Sequence, residues 1–82
     1  MTDFAIVRAR VAQVLDIGEE MILPETALVE LGNWDSVNSL RLLTHLESLF
    51  RVRLPYAGFS EVKTAGDLCS LVEEVRSHAR LG

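Results

Sequence analysis

The sequence predicts an all-α fold: a four-helix bundle of three main helices plus one short helix, in a single domain spanning residues 1–82. Three observations point there. Apolar residues recur at helical spacing in three separate stretches. Each stretch follows a residue suited to cap a helix: Thr2, Asp35 and Thr64. The chain has 82 residues, 49% of them hydrophobic, which fits one domain with one core.

The first helix is expected over residues 3–15, with Thr2 as its cap. Phe4, Val7, Val11, Val14 and Leu15 share one face, and Arg8, Arg10 and Gln13 lie outside it. Gly18 is the expected stop. Residues 17–35 keep no period and contain Pro24, Gly32 and Asn33, which favour turns. So long a connection needs anchors, and Ile17, Met21, Ile22, Leu23, Leu28 and Leu31 are the candidates. Asp16, Glu19, Glu20, Glu25, Glu30 and Asp35 make this stretch acidic, with no basic residue among them. A solvated loop accounts for those acids.

The second helix is expected over 36–50, capped by Asp35, with Ser36 in its first turn. Leu42, Leu43, Leu46, Leu49 and Phe50 fall on its buried face, while Val37, Leu40, Arg41, Thr44 and Ser48 point away. Two apolar side chains, Val37 and Leu40, therefore face solvent near its start. Val52-Arg53-Leu54-Pro55 is expected to end it, because Pro55 disfavours helical geometry at Leu54. A short turn surrounds Phe59 over 57–62. Thr64 and Asp67 form a capping box for the last helix. Its stripe is Ala65, Leu68, Val72, Val75 and Ala79, and Arg76, His78 and Arg80 suit the negative end of its dipole.

Composition excludes several functions. Net charge is −4, so the chain lacks the basic face that nucleic acid requires. No apolar run approaches a membrane span, and Met1-Thr2-Asp3-Phe4 lacks the basic start of a signal peptide, so the expected setting is cytoplasmic. Cys69, His45 and His78 show no metal-ligand spacing, so no metal site is expected. Cys69 is expected to be an inert, partly buried thiol, and His45 a surface residue. No Gly-x-Ser-x-Gly elbow surrounds Ser36, and two histidines leave little scope for a triad. Trp34 is expected to pack on the bundle.

The informative segment is Leu31-Gly32-Asn33-Trp34-Asp35-Ser36-Val37. Taken alone, Asp-Ser at a helix start is an ordinary capping pair. The position adds more. A hydroxyl there lies near free backbone N–H groups and the positive end of the dipole, where a phosphate ester is stabilised. Exposed Val37 and Leu40 give a partner protein something apolar to grip.

These features resemble the acyl and peptidyl carrier protein superfamily. The matching residues are Thr26-Ala27-Leu28-Val29-Glu30-Leu31-Gly32, Asp35-Ser36-Val37, Leu42, Leu46-Glu47, Phe50-Arg51-Val52-Arg53-Leu54-Pro55 and Thr64-Ala65-Gly66-Asp67-Leu68. The resemblance implies that Ser36 receives 4′-phosphopantetheine from coenzyme A, through a phosphopantetheinyl transferase that usually uses magnesium. The arm's thiol then holds an acyl or aminoacyl group, and the carrier itself catalyses nothing. Implied partners are that transferase, an adenylating or acyltransferase loading enzyme, and a downstream synthase or transferase. The implied docking face is Asp35, Val37, Leu40, Arg41, Thr44 and Glu47 on a monomer.

Two departures from the family pattern bear on the setting. Val37 stands where Leu is usual. The second helix carries one acid, Glu47, against Arg41 and Arg51, whereas fatty-acid carriers are strongly acidic there. Trp34 is similar to aminoacyl and D-alanyl carriers. The expected setting is therefore specialised polyketide or nonribosomal peptide assembly, with a discrete carrier used in trans. Its expected cargo is aminoacyl first and polyketide-type acyl second. The rival reading is an unmodified helical adaptor for protein–protein contact, which would not need the Ser36 hydroxyl.

Overall fold

A computed structural model describes residues 3–81, with side chains for residues 3–77. Four helices are present in that span: α1 (Asp3–Leu15), α2 (Ser36–Phe50), α3 (Tyr56–Glu61) and α4 (Ala65–Leu81). Two short 3₁₀ turns, Glu19–Met21 and Leu28–Glu30, interrupt the long connection. Helix α1 packs against both α2 and α4, and α3 lies on α4. The expected Thr2 cap and the side chains of His78, Ala79 and Arg80 lie outside the described residues.

The apolar stripes account for the core. Val7, Val11, Val14 and Leu15 of α1 are buried with Leu42 and Leu46 of α2 and Ala65, Leu68 and Val72 of α4. Phe59 closes one side from α3, and Phe4, Trp34, Leu43, Phe50 and Val75 pack partly buried around the rim. Each buried Leu or Val of this kind contributes roughly 1.5–3 kcal/mol through removal of apolar surface from water.

Both α1 and α2 end without glycine. Asp16 and Arg51 each take the left-handed conformation, at φ 57°. The next residue then bonds back five positions: Ile17 N–H to the Ala12 carbonyl at 3.0 Å, and Val52 N–H to the Glu47 carbonyl at 3.1 Å. These endings correct two expectations. Gly18 is not the stop of α1; Asp16 is, since Asp tolerates the left-handed region better than most side chains. Pro55 does not stop α2 either. Arg51 ends it, and Pro55 instead precedes α3 as its cap residue.

The connection between α1 and α2 is anchored by fewer residues than expected. Ile22, Leu28 and Leu31 are buried and Ile17 packs partly, but Met21 is 61% exposed and Leu23 51%. Ile22 has extended backbone (φ −117°, ψ 108°), which sends successive side chains to opposite sides. Only the middle residue of Met21-Ile22-Leu23 therefore reaches the core.

The connection is also tied to the start of α4. Leu28 N–H donates to the Lys63 carbonyl (2.9 Å), and Ala65 N–H to the Thr26 carbonyl (3.0 Å). Gly66 N–H donates to the Pro24 carbonyl at 2.8 Å, and a Cβ on Gly66 would fall 2.8 Å from that same oxygen. Glycine is required there because the two backbones meet directly.

Candidate functional site

The α2 start is assembled from four hydrogen bonds. Asp35 is extended (φ −149°, ψ 179°), and its carboxylate accepts the Asn38 N–H at 2.7 Å. The Asp35 carbonyl accepts the Ser39 N–H at 2.9 Å, the first bond of the helix. Asn38 Nδ2 donates to the Asn33 carbonyl at 2.8 Å, and Asn33 Nδ2 donates to the Leu15 carbonyl at 2.7 Å. Asn33 takes φ 69°, which Asn accepts more readily than most residues. The α2 start is thus tied to the α1 end through two asparagine side chains.

Ser36 is exposed in the first turn, as the sequence predicts. Its hydroxyl has no hydrogen-bond partner among the described residues, and neither do the Ser36 and Val37 N–H groups. Ser39 Oγ donates to the Ser36 carbonyl at 3.0 Å, away from the side chain. Helix α2 has no acid in its first turn. Two free N–H groups at the positive end of the helix, with an exposed hydroxyl beside them, suit a phosphate ester.

Val37 (66% exposed) and Leu40 (47%) project beside it. With Arg41, Thr44 and His45 they line a shallow groove of about 440 Å³. Four of the anticipated partner residues, Val37, Leu40, Arg41 and Thr44, therefore share one surface. Asp35 and Glu47 do not line it. Glu47 has a structural task the sequence reading missed: its carboxylate accepts the Leu54 N–H at 2.9 Å, and its carbonyl takes the helix-ending bonds. His45, expected at the surface, is half-buried and lines the groove. Leu49, expected on the buried face, is 38% exposed, because the space above it is another groove instead of a packed neighbour. Trp34 packs on the core as expected.

Residues 5–72 match the family model described as the phosphopantetheine attachment site. The chain belongs to the carrier protein superfamily. The carrier is 33% identical over 66 residues to an acyl carrier protein of Thermosynechococcus vestitus, covering 80% of this chain and 82% of the relative. It is 29% identical over 73 residues to one from Helicobacter hepaticus, covering 89% and 96%. Its fold is similar to the solution structure of a holo acyl carrier protein from Geobacter metallireducens, at a TM-score of 0.84 and 22% identity over 99% of this chain and 93% of that one. The carrier is not an enzyme. It tethers an acyl group through covalently held 4′-phosphopantetheine, whose terminal thiol forms the thioester. Its partners are, in general terms, a phosphopantetheinyl transferase and the synthases that load and unload it.

The remaining reactive groups serve the fold. Burial, with the Glu73 and Asp3 carboxylates adding to it, pushes the Cys69 thiol up to about 11, so it is inert near neutrality. Arg76, expected to serve the dipole of α4, instead pairs with Asp3 at 2.7 Å and lies 5.0 Å from the Phe50 ring centre. It joins three helices at the end opposite the α4 start. No helix among the described residues is long and apolar enough to cross a membrane.

Proposed function

We propose that Ser36 is the point of attachment, and that the carrier presents an aminoacyl or polyketide-type acyl group in specialised polyketide or nonribosomal peptide assembly. One observation supports the attachment most directly. The Ser36 hydroxyl is exposed and unengaged beside two free N–H groups, while Asp35 alone caps the helix. These residues fit the group chemically: the hydroxyl supplies the ester oxygen, and the Ser36 and Val37 N–H groups face the phosphate charge.

The groove of Val37, Leu40, Arg41 and Thr44 is the docking face for the transferase, for an adenylating or acyltransferase loading enzyme, and for the downstream synthase. Apolar side chains at its centre supply most of the affinity, and Arg41 at the rim selects partners. The non-acidic surface of α2 supports a setting other than fatty-acid synthesis. The carrier acts as one monomeric domain over residues 1–82, in the cytoplasm.

The test is incubation with coenzyme A, magnesium and a broad-specificity phosphopantetheinyl transferase, followed by intact mass and peptide mapping. One arm on Ser36 is expected. No arm would leave the adaptor reading, and an arm elsewhere would misplace the site. Intact mass of protein purified from its native host then identifies the cargo, and a plain fatty-acyl chain would overturn the specialised setting.

A further inference from the structure

Arg8 and Arg10 are two residues apart on α1, so they point about 200° apart around the helix. Arg8 turns toward the acidic connection, with Nε 3.4 Å from Glu19 Oε1. Arg10 turns toward α2. There it lines a groove of about 560 Å³ with Thr44, His45, Ser48, Leu49 and Arg51. Neither Arg10 nor Arg51 has a carboxylate partner among the described residues. The only acid of α2, Glu47, is engaged with the Leu54 N–H. The exposed part of Leu49 adds an apolar surface to the same groove. In a chain of net charge −4, with six acids gathered between residues 16 and 35, this groove is locally cationic.

We infer that the groove between α1 and α2 docks an acidic segment of a partner protein, with one apolar side chain over Leu49 and carboxylates facing Arg10 and Arg51. Charge complementarity sets the sign: two cations without carboxylate partners favour acidic segments and disfavour basic ones. Two arginines on an otherwise acidic chain are too few for nucleic acid. The chain's own Glu19-Glu20-Met21-Ile22-Leu23 has matching charge, but its Ile22 is buried in the core and its Glu19 already faces Arg8, so the segment is not free to enter a neighbour's groove. A separate partner is the occupant. The groove shares Thr44 and His45 with the one beside Ser36, so a single partner spans both. The inference deepens the carrier reading and rests on it, and the experiment reads binding separately from arm addition.

The probe is a helical peptide bearing one leucine ringed by glutamates, with a lysine-ringed analogue as control. Both are titrated into the ¹⁵N-labelled full chain, in arm-bearing and Ser36→Ala forms. Shifts are expected at the amides of Arg10, Thr44, Ser48, Leu49 and Arg51 in both forms. The glutamate peptide should bind at least about tenfold tighter than the lysine one, with the preference shrinking in high salt. Arg10→Glu should abolish that preference, and Arg51→Glu should do the same, with circular dichroism confirming that each variant is folded. Equal binding of both peptides, no saturable binding, or shifts confined to residues 16–35 would each overturn the inference. Sedimentation showing self-association without peptide would give the groove to a second copy and overturn it as well. Failure of arm addition would refute the carrier reading instead.

Discussion

The starts of α2 and α4 are both capped by a side chain that accepts an N–H three residues ahead: Asp35 from Asn38 at 2.7 Å, and Thr64 from Asp67 at 3.0 Å. Beyond that they differ. At α4 the bond is returned, because the Asp67 carboxylate accepts the N–H groups of Thr64 (3.1 Å) and Lys63 (3.3 Å). At α2 the equivalent position is Asn38, an amide that donates to Asn33 instead of reaching back with negative charge. One helix start is closed upon itself. The other holds its geometry with a single carboxylate and leaves a hydroxyl and two N–H groups outward. The difference teaches that the same capping chemistry either completes a closed joint or leaves an open one, depending on whether the first two helical N–H groups meet loop carbonyls, as those of Ala65 and Gly66 do at Thr26 and Pro24, or stay free, as those of Ser36 and Val37 do.

The largest expected effect tests that contrast directly. Ser36→Ala should eliminate arm addition, whereas Thr64→Ala should leave it intact; intact mass after treatment with coenzyme A and transferase decides. Next in size is docking. Val37→Asp or Leu40→Asp on arm-bearing protein should slow cargo transfer by a cognate enzyme more than about tenfold, since hot-spot losses reach ~2 kcal/mol or more. Circular dichroism should be unchanged. Transfer at the original rate in both variants would move the docking surface elsewhere, with the acidic connection the next surface to test.

Smaller effects concern stability. Gly66→Ala should destabilise by about 1–3 kcal/mol, because its Cβ meets the Pro24 carbonyl and one backbone must shift. Urea denaturation that shows no loss would mean that the α4 joint is looser than its geometry implies. Asp35→Ala and Thr64→Ala should each cost ~1 kcal/mol as lost caps. Ser36→Ala should stay within about 0.5 kcal/mol, having no bond to lose.

The smallest effect is a pH dependence confined to α4. The backbone N–H groups of Thr64 and Lys63 hold the Asp67 carboxyl below its ordinary value. A carboxyl depressed on folding stabilises the fold above its unfolded pKa and loses that contribution as pH falls through the folded one. Stability should therefore decline on acidification partly through Asp67, and Asp67→Asn should flatten that part of the profile. Identical acid profiles for the two proteins would remove Asp67 from the joint.

Most of the fold was legible in the sequence because its signals are local. Helical spacing placed α1, α2 and α4, and Asp35 and the Thr64–Asp67 box located two helix starts. Exposure of Ser36, Val37 and Leu40 followed from the same 100° advance per residue. What local pattern does not carry is pairing across the chain. Asn33 read only as a turn residue, yet its amide reaches Leu15, 18 positions away. Arg76 read as a dipole partner, yet it meets Asp3, 73 positions away. Glu47 lay on a plausible surface and turned back to Leu54. Gly66 was part of a motif, but its reason, the Pro24 carbonyl, required the fold. The left-handed ends at Asp16 and Arg51 were missed because neither is the glycine that such positions favour.

The Leu15–Asn33–Asn38 chain turns the acidic connection into a lasso. Its two ends are fastened to each other, so a change at an exposed part of the noose need not shift the helix that follows. Lengthening a loop with fixed ends costs only about 0.6 kcal/mol per doubling. Extra residues near the exposed Met21 or Leu23 would then leave Ser36 where it stands. The connection is thus a place where new recognition sequences could be grafted without shifting the start of α2, so long as the two asparagine knots are kept.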